Sequence, residues 1–549
     1  MNDFYSISSM AALKSTLLAL SLCCGVSLTA QKSPNVPQPP LAGEQMDAGF
    51  RKVILDADLQ KPDGTREDTI EDPMELAVAK DGRVFYAQRN GIIKMWKPDT
   101  KVTVEIGKVP VFKGNEDGML GIALDPNFLK NGWIFLNHSL PETTQDASGQ
   151  DVGVIRVSRF TLVGNTLDLA SEKTVIDIPE LRGKACCYVG GSLAFDAKGN
   201  LYIAIGDNTN PFESDGRSPS DERVGRAPWD AQKSSSNMND LRGGVSRIHP
   251  EPNGTYTIPK GNLFPPGTPG TRPEVFGKGG RNVFRISVDQ RSGTLYWGDV
   301  GPDAGEQDPK RGPAGFDAII QVKKAGFFGW PYSRGDNRTY ARYDFTAAEV
   351  YVKDKAEYDK AKAAYAKAVK EAKDVSTVTL VAPKPPAPYV PMETVFFSAE
   401  HPVNNSPNNT GIKNCPPIQP AFIWYPGGTS TKFPAVNGGG GRTAMAGPIY
   451  YFDPKNKSET KLPKEYDHTL FIYEWSRNWI VAVHLDENEQ IAKNAAGSLK
   501  MERFCPKMTF KRPMDLEFGP DGCLYLIEYG TAWGNNKNTQ IVRLDYVGK

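Results

Sequence analysis

The chain has 549 residues, with 65 Lys and Arg against 64 Asp and Glu, a net charge of +1. Charge this balanced and scattered gives no basic field for nucleic acid or an anionic membrane surface, so neither is expected as a partner. The 53 glycines, 43 prolines and 10% aromatic residues fit many short strands joined by turns and long loops, which argues against a helical bundle.

In chain order, the first feature is a leader. Lys14 precedes the apolar run STLLALSLCCGVSL (15–28), and Ala30 precedes the polar QKSPNVPQPP. A core of about 14 residues is too short for a bilayer span and reads as a signal peptide over residues 1–30. The chain is therefore expected to be exported, to a periplasm or outside the cell. Cys23 or Cys24 as a lipid attachment point is the alternative, although neither follows a small-residue lipobox. No later run reaches 18 apolar residues, so no membrane span is expected. Residues 31–69 read as an N-terminal extension with a first strand, and 70–549 as the main unit. Of seven cysteines, Cys186, Cys187, Cys415, Cys505 and Cys523 lie beyond the leader. None forms a CxxC or CxxCH pattern, which argues against structural zinc and covalent haem. For Cys186–Cys187 a vicinal disulfide and two buried thiols both stay open.

One pattern then recurs: a short apolar stretch, a turn most often Asp-Gly or Asn-Gly, and a β-rich aromatic strand. It appears at 74–88, 119–139, 191–208 and 284–303, loosely at 446–475, and again at 514–530. Each copy reads as a hairpin, because glycine supplies the positive φ that tight turns need. About six such units at uneven spacing predict radial repetition: an all-β fold, a six-bladed β-propeller with long loops. Residues 353–373 (KDKAEYDKAKAAYAKAVKEAK) depart from this, since Ala, Lys and Glu favour a helix. Tyr351, Tyr358 and Tyr365 recur every seventh residue and form one aromatic stripe expected to dock. The PKPPAPYVP run (383–391) is a stiff return, so 350–391 reads as a helical and Pro-rich insertion in a loop.

Taken together, VGGSLAFDAKGNLYIAIGDNTNP (189–211), WDAQKSSSNMNDLRGGVSRIHPEPNGTYTIPKGNLF (229–264), GRNVFRISVD (280–289), WGDVGPDAGEQD (297–308) and AGFFGWPY (325–332) resemble the soluble pyrroloquinoline-quinone (PQQ) dependent sugar dehydrogenases, the glucose/sorbosone dehydrogenase family. The likeness runs from about residue 70 to 335 and resumes at roughly 440–545. It implies a six-bladed propeller with PQQ and calcium at one mouth, oxidation of a sugar C1 hydroxyl by hydride transfer to the quinone, and a separate electron acceptor. It also implies roles. Carbonyls of the Gly301-Pro302 step hold Ca²⁺, which suits a cation that prefers oxygen. Arg281 and Asn282 contact the quinone. Glu116 and Asp207 hold sugar. Arg477 and Arg512 neutralise the cofactor's carboxylates, for which arginine gives bidentate contacts.

The sequence departs from the family where a base is needed. The stretch KACCYVGGSLAF (184–195) carries Tyr188 at the position of the family's histidine, and Gly280 replaces another. Tyrosine's ordinary pKa is near 10, and loss of a general base typically costs roughly 10²–10⁴ in rate. Tyr188, Arg281 and Asp207 are therefore the candidate catalytic set, with His138 at a strand end as a substitute base. Asp299, Asp303 and Asp308 crowd near Gly301 and read as loop caps or a second calcium site. Arg226, Asp230 and Lys233 line the cleft or tie down the 207–242 loop. His249, His401, His468 and His484 read as structural, and Trp330 as packing. Two other classes stay open: a catalytically degenerate propeller that binds carbohydrate, and an extracellular protein-interaction scaffold.

Overall fold

A computed structural model describes residues 42–60, 66–68, 70–371, 382–385, 395–534 and 536–548. The leader read over 1–30 and most of the Pro-rich run lie outside these residues. The described chain forms six antiparallel blades, each beginning with a strand that packs beside the first strands of the neighbouring blades around a central axis. The six first strands are Pro73–Val78, Met119–Leu124, Gly190–Phe195, Val283–Val288, Ala444–Tyr450 and Pro513–Phe518. Each predicted hairpin supplies the first two strands of one blade. The sixth blade is joined from both ends of the chain: Phe50–Ala57 pairs antiparallel with Gln540–Tyr546, and Ala42–Asp47 lies outside it.

This order creates two unlike faces. Connections from the first to the second strand leave on one face, and four of the six there are short turns. Asp196, Asp289 and Asp521 each accept a backbone N–H two residues on, at 2.8, 3.0 and 3.1 Å. Gly199, Gly293 and Gly522 supply φ of +79°, +78° and +74°. Connections from second to third strand, and from each blade to the next, leave on the opposite face. They include the segments around 109–118, 182–189, 206–243, 279–282, 300–315, 427–443, 475–478 and 504–512.

Buried carboxylates lock blade to blade. Glu75 accepts from Ile122 N at 2.7 Å and from the Ser192 hydroxyl. Asp515 accepts from Leu76 N at 2.8 Å, and Asp317 from Ala444 N at 2.9 Å. Burial raises the pKa of all three, and buried Arg285, donating to Met514 O at 3.2 Å, offsets this for Glu75 and Asp515.

The predicted helix spans Phe345–Glu371, starting earlier than its composition indicated because Asp344 accepts from Thr346 N and Ala347 N at 3.0 Å. Tyr358 and Tyr365 are half-buried among mostly exposed neighbours, with Lys362 over the Tyr358 ring at 5.8 Å. No helix among the described residues is long and apolar enough to cross a membrane.

Candidate functional site

Glu116, Tyr188, Asp207, Arg281, Asn282, Gly301, Pro302, Arg477 and Arg512 all fall in connections on the long-loop face. Hydrogen bonds join most of them into one chain around the axis. Glu116 Oε2 accepts from Tyr188 N at 2.8 Å. Arg281 Nη2 donates to the Tyr188 hydroxyl oxygen, and the guanidinium carbon stands 4.0 Å from the Tyr188 ring centre. Arg281 Nη1 donates to Val300 O at 3.1 Å, next to Gly301. Asp207 N donates to Arg281 O at 2.8 Å.

Local sequence explains how Tyr188 comes to sit against Arg281. Cys186 and Cys187 form a disulfide, so the vicinal pair is bonded and the thiol reading falls. Tyr188 follows it with φ +67°, a left-handed conformation rare for a bulky residue. Its carbonyl accepts from Asn208 N at 3.1 Å, and a Cβ on Gly206 would meet that carbonyl oxygen at 2.1 Å, so only glycine allows the approach. Local strain of this kind is held by surrounding contacts and gathers at functional sites.

Asp207 is fully buried. Its Oδ2 accepts from Trp330 Nε1 at 2.7 Å, while Oδ1 has no hydrogen-bond partner among the described residues. Burial raises its pKa to about 6. Lys233 stands beside it, donating to Asn208 O at 2.8 Å and Thr209 Oγ1 at 2.9 Å, with its pKa lowered by burial. Of the loop trio, Lys233 alone reaches this centre. Arg226 bonds Asp221 and Glu213, and Asp230 accepts from Asn408 Nδ2 at 2.9 Å, so both tie loops. Trp330, read as packing, is a site residue whose indole orients Asp207; its separation of 123 residues left no local signal.

Several expectations are corrected. Arg477 is spent on its own surroundings, donating to Gly441 O, Val436 O, Pro426 O and Gly427 O at 2.9–3.3 Å, so it holds the 427–441 loop in place of a cofactor carboxylate. Arg512 stacks on Trp475 at 4.2 Å at the same face. His138 does not enter the mouth. Its Nε2 lies 3.3 Å from the Ser158 hydroxyl, which donates to Glu172 at 2.6 Å, so it faces the outer strands of its own blade. Burial there lowers its pKa to about 4. Asp299 accepts from Arg281 N and Asn282 N at 3.1 and 3.0 Å and from Arg334 Nη1 at 2.6 Å, which is capping. Asp308 caps Lys310 N at 2.8 Å. Among the described residues no group of three or more His, Cys, Asp or Glu is arranged to hold a metal ion, so the second-calcium reading has no support.

A family model for glucose / sorbosone dehydrogenases matches residues 70–375, more than half of the chain. The chain belongs to that family. A curated relative, the Hedgehog-interacting protein of Homo sapiens, is 26% identical over 223 residues, covering 38% of this chain and 28% of that protein. The aldose sugar dehydrogenase YliI of Escherichia coli (strain K12) is 24% identical over 269 residues, covering 48% of this chain and 60% of YliI. This family member thus spans less than two thirds of each relative's length. In three dimensions it resembles the soluble aldose sugar dehydrogenase of Escherichia coli in its apo form, at TM-score 0.51 and 16% identity, over 90% of this chain and 99% of that one. That likeness shows the shared propeller.

The two groups the family implies fare differently at this mouth. Arg281, Lys233 and Arg512 supply positive charge and the buried Tyr340 hydroxyl, which lacks a partner among the described residues, supplies a donor, a set that suits a polyanionic ring carrying carbonyls, while Asp207 Oδ1, also without such a partner, is an acceptor suited to a hydroxyl. Calcium does not fit the Gly301-Pro302 step. Pro302 O already accepts from Arg442 Nη2 at 2.6 Å, a cation in the place where the ion was expected.

Proposed function

We propose that this chain is an exported oxidoreductase that oxidises a sugar C1 hydroxyl with PQQ and passes electrons to a separate acceptor. The observation that carries this reading is the contact between the Arg281 guanidinium and the Tyr188 hydroxyl, with Asp207 one backbone hydrogen bond away. Bound PQQ supplies a two-electron hydride acceptor. Arg281, Asn282 and Arg512 would hold it. Asp207, through the Oδ1 that has no partner among the described residues, accepts a hydrogen bond from a sugar hydroxyl and fixes its orientation, and Glu116 holds the loop carrying Tyr188. Tyr188 acts as the phenolate, the form that the adjacent Arg281 guanidinium favours over the neutral phenol, and in taking the C1 hydroxyl proton it becomes the phenol. No step is derived through calcium.

The test is to add PQQ to the purified chain, with and without calcium, and follow the quinone absorbance as aldoses are added. A shifted spectrum that aldose bleaches supports the enzyme. A shift without bleaching supports a second reading, ligand binding without turnover. One observation favours that second reading: a tyrosine stands where the family carries its base. No spectral shift removes both PQQ readings and leaves an interaction scaffold.

A further inference from the structure

The Gly301-Pro302 step is bracketed by two guanidinium groups. Arg442, a buried side chain, donates from Nη2 to Pro302 O at 2.6 Å and from Nε to Asp317 Oδ1 at 3.2 Å. Asp317 also accepts from Gly301 N and Ala444 N, both at 2.9 Å, so one carboxylate fixes the step and the strand that follows Arg442. Arg334 donates to Phe316 O at 3.1 Å and pairs with Asp299 at 2.6 Å. Two glycines make room for Arg442: a Cβ on Gly315 would lie 2.7 Å from its Nη2, and one on Gly427 would lie 3.1 Å from its Nη1.

We propose that Arg442 takes the place of the divalent cation at this step, so that the centre holds its anionic ring by fixed guanidinium charge and takes no calcium. The inference deepens the PQQ reading and rests on it for the ring. Calcium needs about 6–8 oxygen ligands. Two carboxylates beside the step, Asp299 and Asp317, are each consumed by an arginine and by backbone N–H groups, and Pro302 O is bonded to the guanidinium. An ion on that oxygen would face a positive charge that cannot deprotonate. A guanidinium also offers what the ion would have offered, a cation beside an anion or a carbonyl, in a fixed planar geometry.

The experiment treats the full chain with EDTA, then titrates CaCl₂ while following heat of binding and thermal midpoint, and repeats the PQQ spectral titration with EDTA or with calcium. The expected result is no calcium binding heat, an unchanged midpoint, and PQQ affinity equal within about twofold in the two conditions. Stoichiometric calcium binding, or PQQ affinity about tenfold tighter with calcium, would overturn the proposal. The R442S variant should gain calcium dependence and R442K should not; an R442S protein that folds and stays indifferent to calcium also overturns it. Where R442S fails to fold, the wild-type titration decides alone. If PQQ binds in neither condition, the function reading falls while the calcium calorimetry still decides the role of Arg442.

Discussion

On one face of the propeller most chain reversals take a few residues, with an aspartate capping its own turn and a glycine at positive φ. On the other face the chain wanders, from Gly206 to Gly243 in one excursion, and nearly every bond that matters joins residues far apart in sequence. The first arrangement shapes the scaffold and the second assembles the chemistry. Stability and activity should therefore separate by face, and substitutions can test that division.

The largest effect is expected at the long-loop face. Arg281→Ala removes the contact on the Tyr188 hydroxyl and the bond to Val300 O, and sugar oxidation should fall by roughly 10²–10⁴ in kcat/KM while the thermal midpoint changes little. An unfolded R281A protein would show that this arginine supports the scaffold instead. Asp207→Asn comes next. Burial raises the Asp207 pKa from 3.8 to about 6, so the folded state keeps a proton that the unfolded chain loses first. The stability this gives is full below about pH 4 and lost as pH climbs to about 6. The D207N midpoint should accordingly rise relative to wild type across that window and then hold a constant advantage. A flat difference between pH 4 and 7 would remove the buried carboxylate from the account.

On the short-turn face, Gly293→Ala meets nothing within 4 Å and carries only the backbone penalty at φ +78°, so it should cost about 1–2 kcal/mol by chemical denaturation and leave kcat unchanged. A loss of activity there would break the division between faces. Smallest of all, reducing Cys186–Cys187 closes no long loop and should cost about 1 kcal/mol of global stability. Its effect on kcat should exceed its effect on the midpoint, because the bond precedes the strained Tyr188.

The same division explains what the sequence revealed. Hairpins were legible because Asp-Gly chemistry is local: Asp196 and Gly199 declare their turn within four residues. Tyr188, Asp207, Arg281 and Asn282 were found through the family pattern and do gather at one place. Arg442 was missed because its meaning lies in Pro302 and Asp317, more than a hundred residues earlier, and a Gly-rich run ending in Arg looks like any loop. Arg477 was misread for the opposite reason: nothing in the sequence says that four loop carbonyls already surround it. His138 failed on its radial place, since it lies on the second strand of its blade, Trp133–Ser139, with its ring turned to Ser158 on the third.

The stitched sixth blade has a consequence for biosynthesis. Until the ribosome delivers Gln540–Tyr546, the strand Phe50–Ala57 has no seam to enter and exposes an unpaired edge. The nascent polypeptide must carry the other five sheets and that open edge until Gln540–Tyr546 emerges, an interval in which mispairing with another copy competes with ring closure.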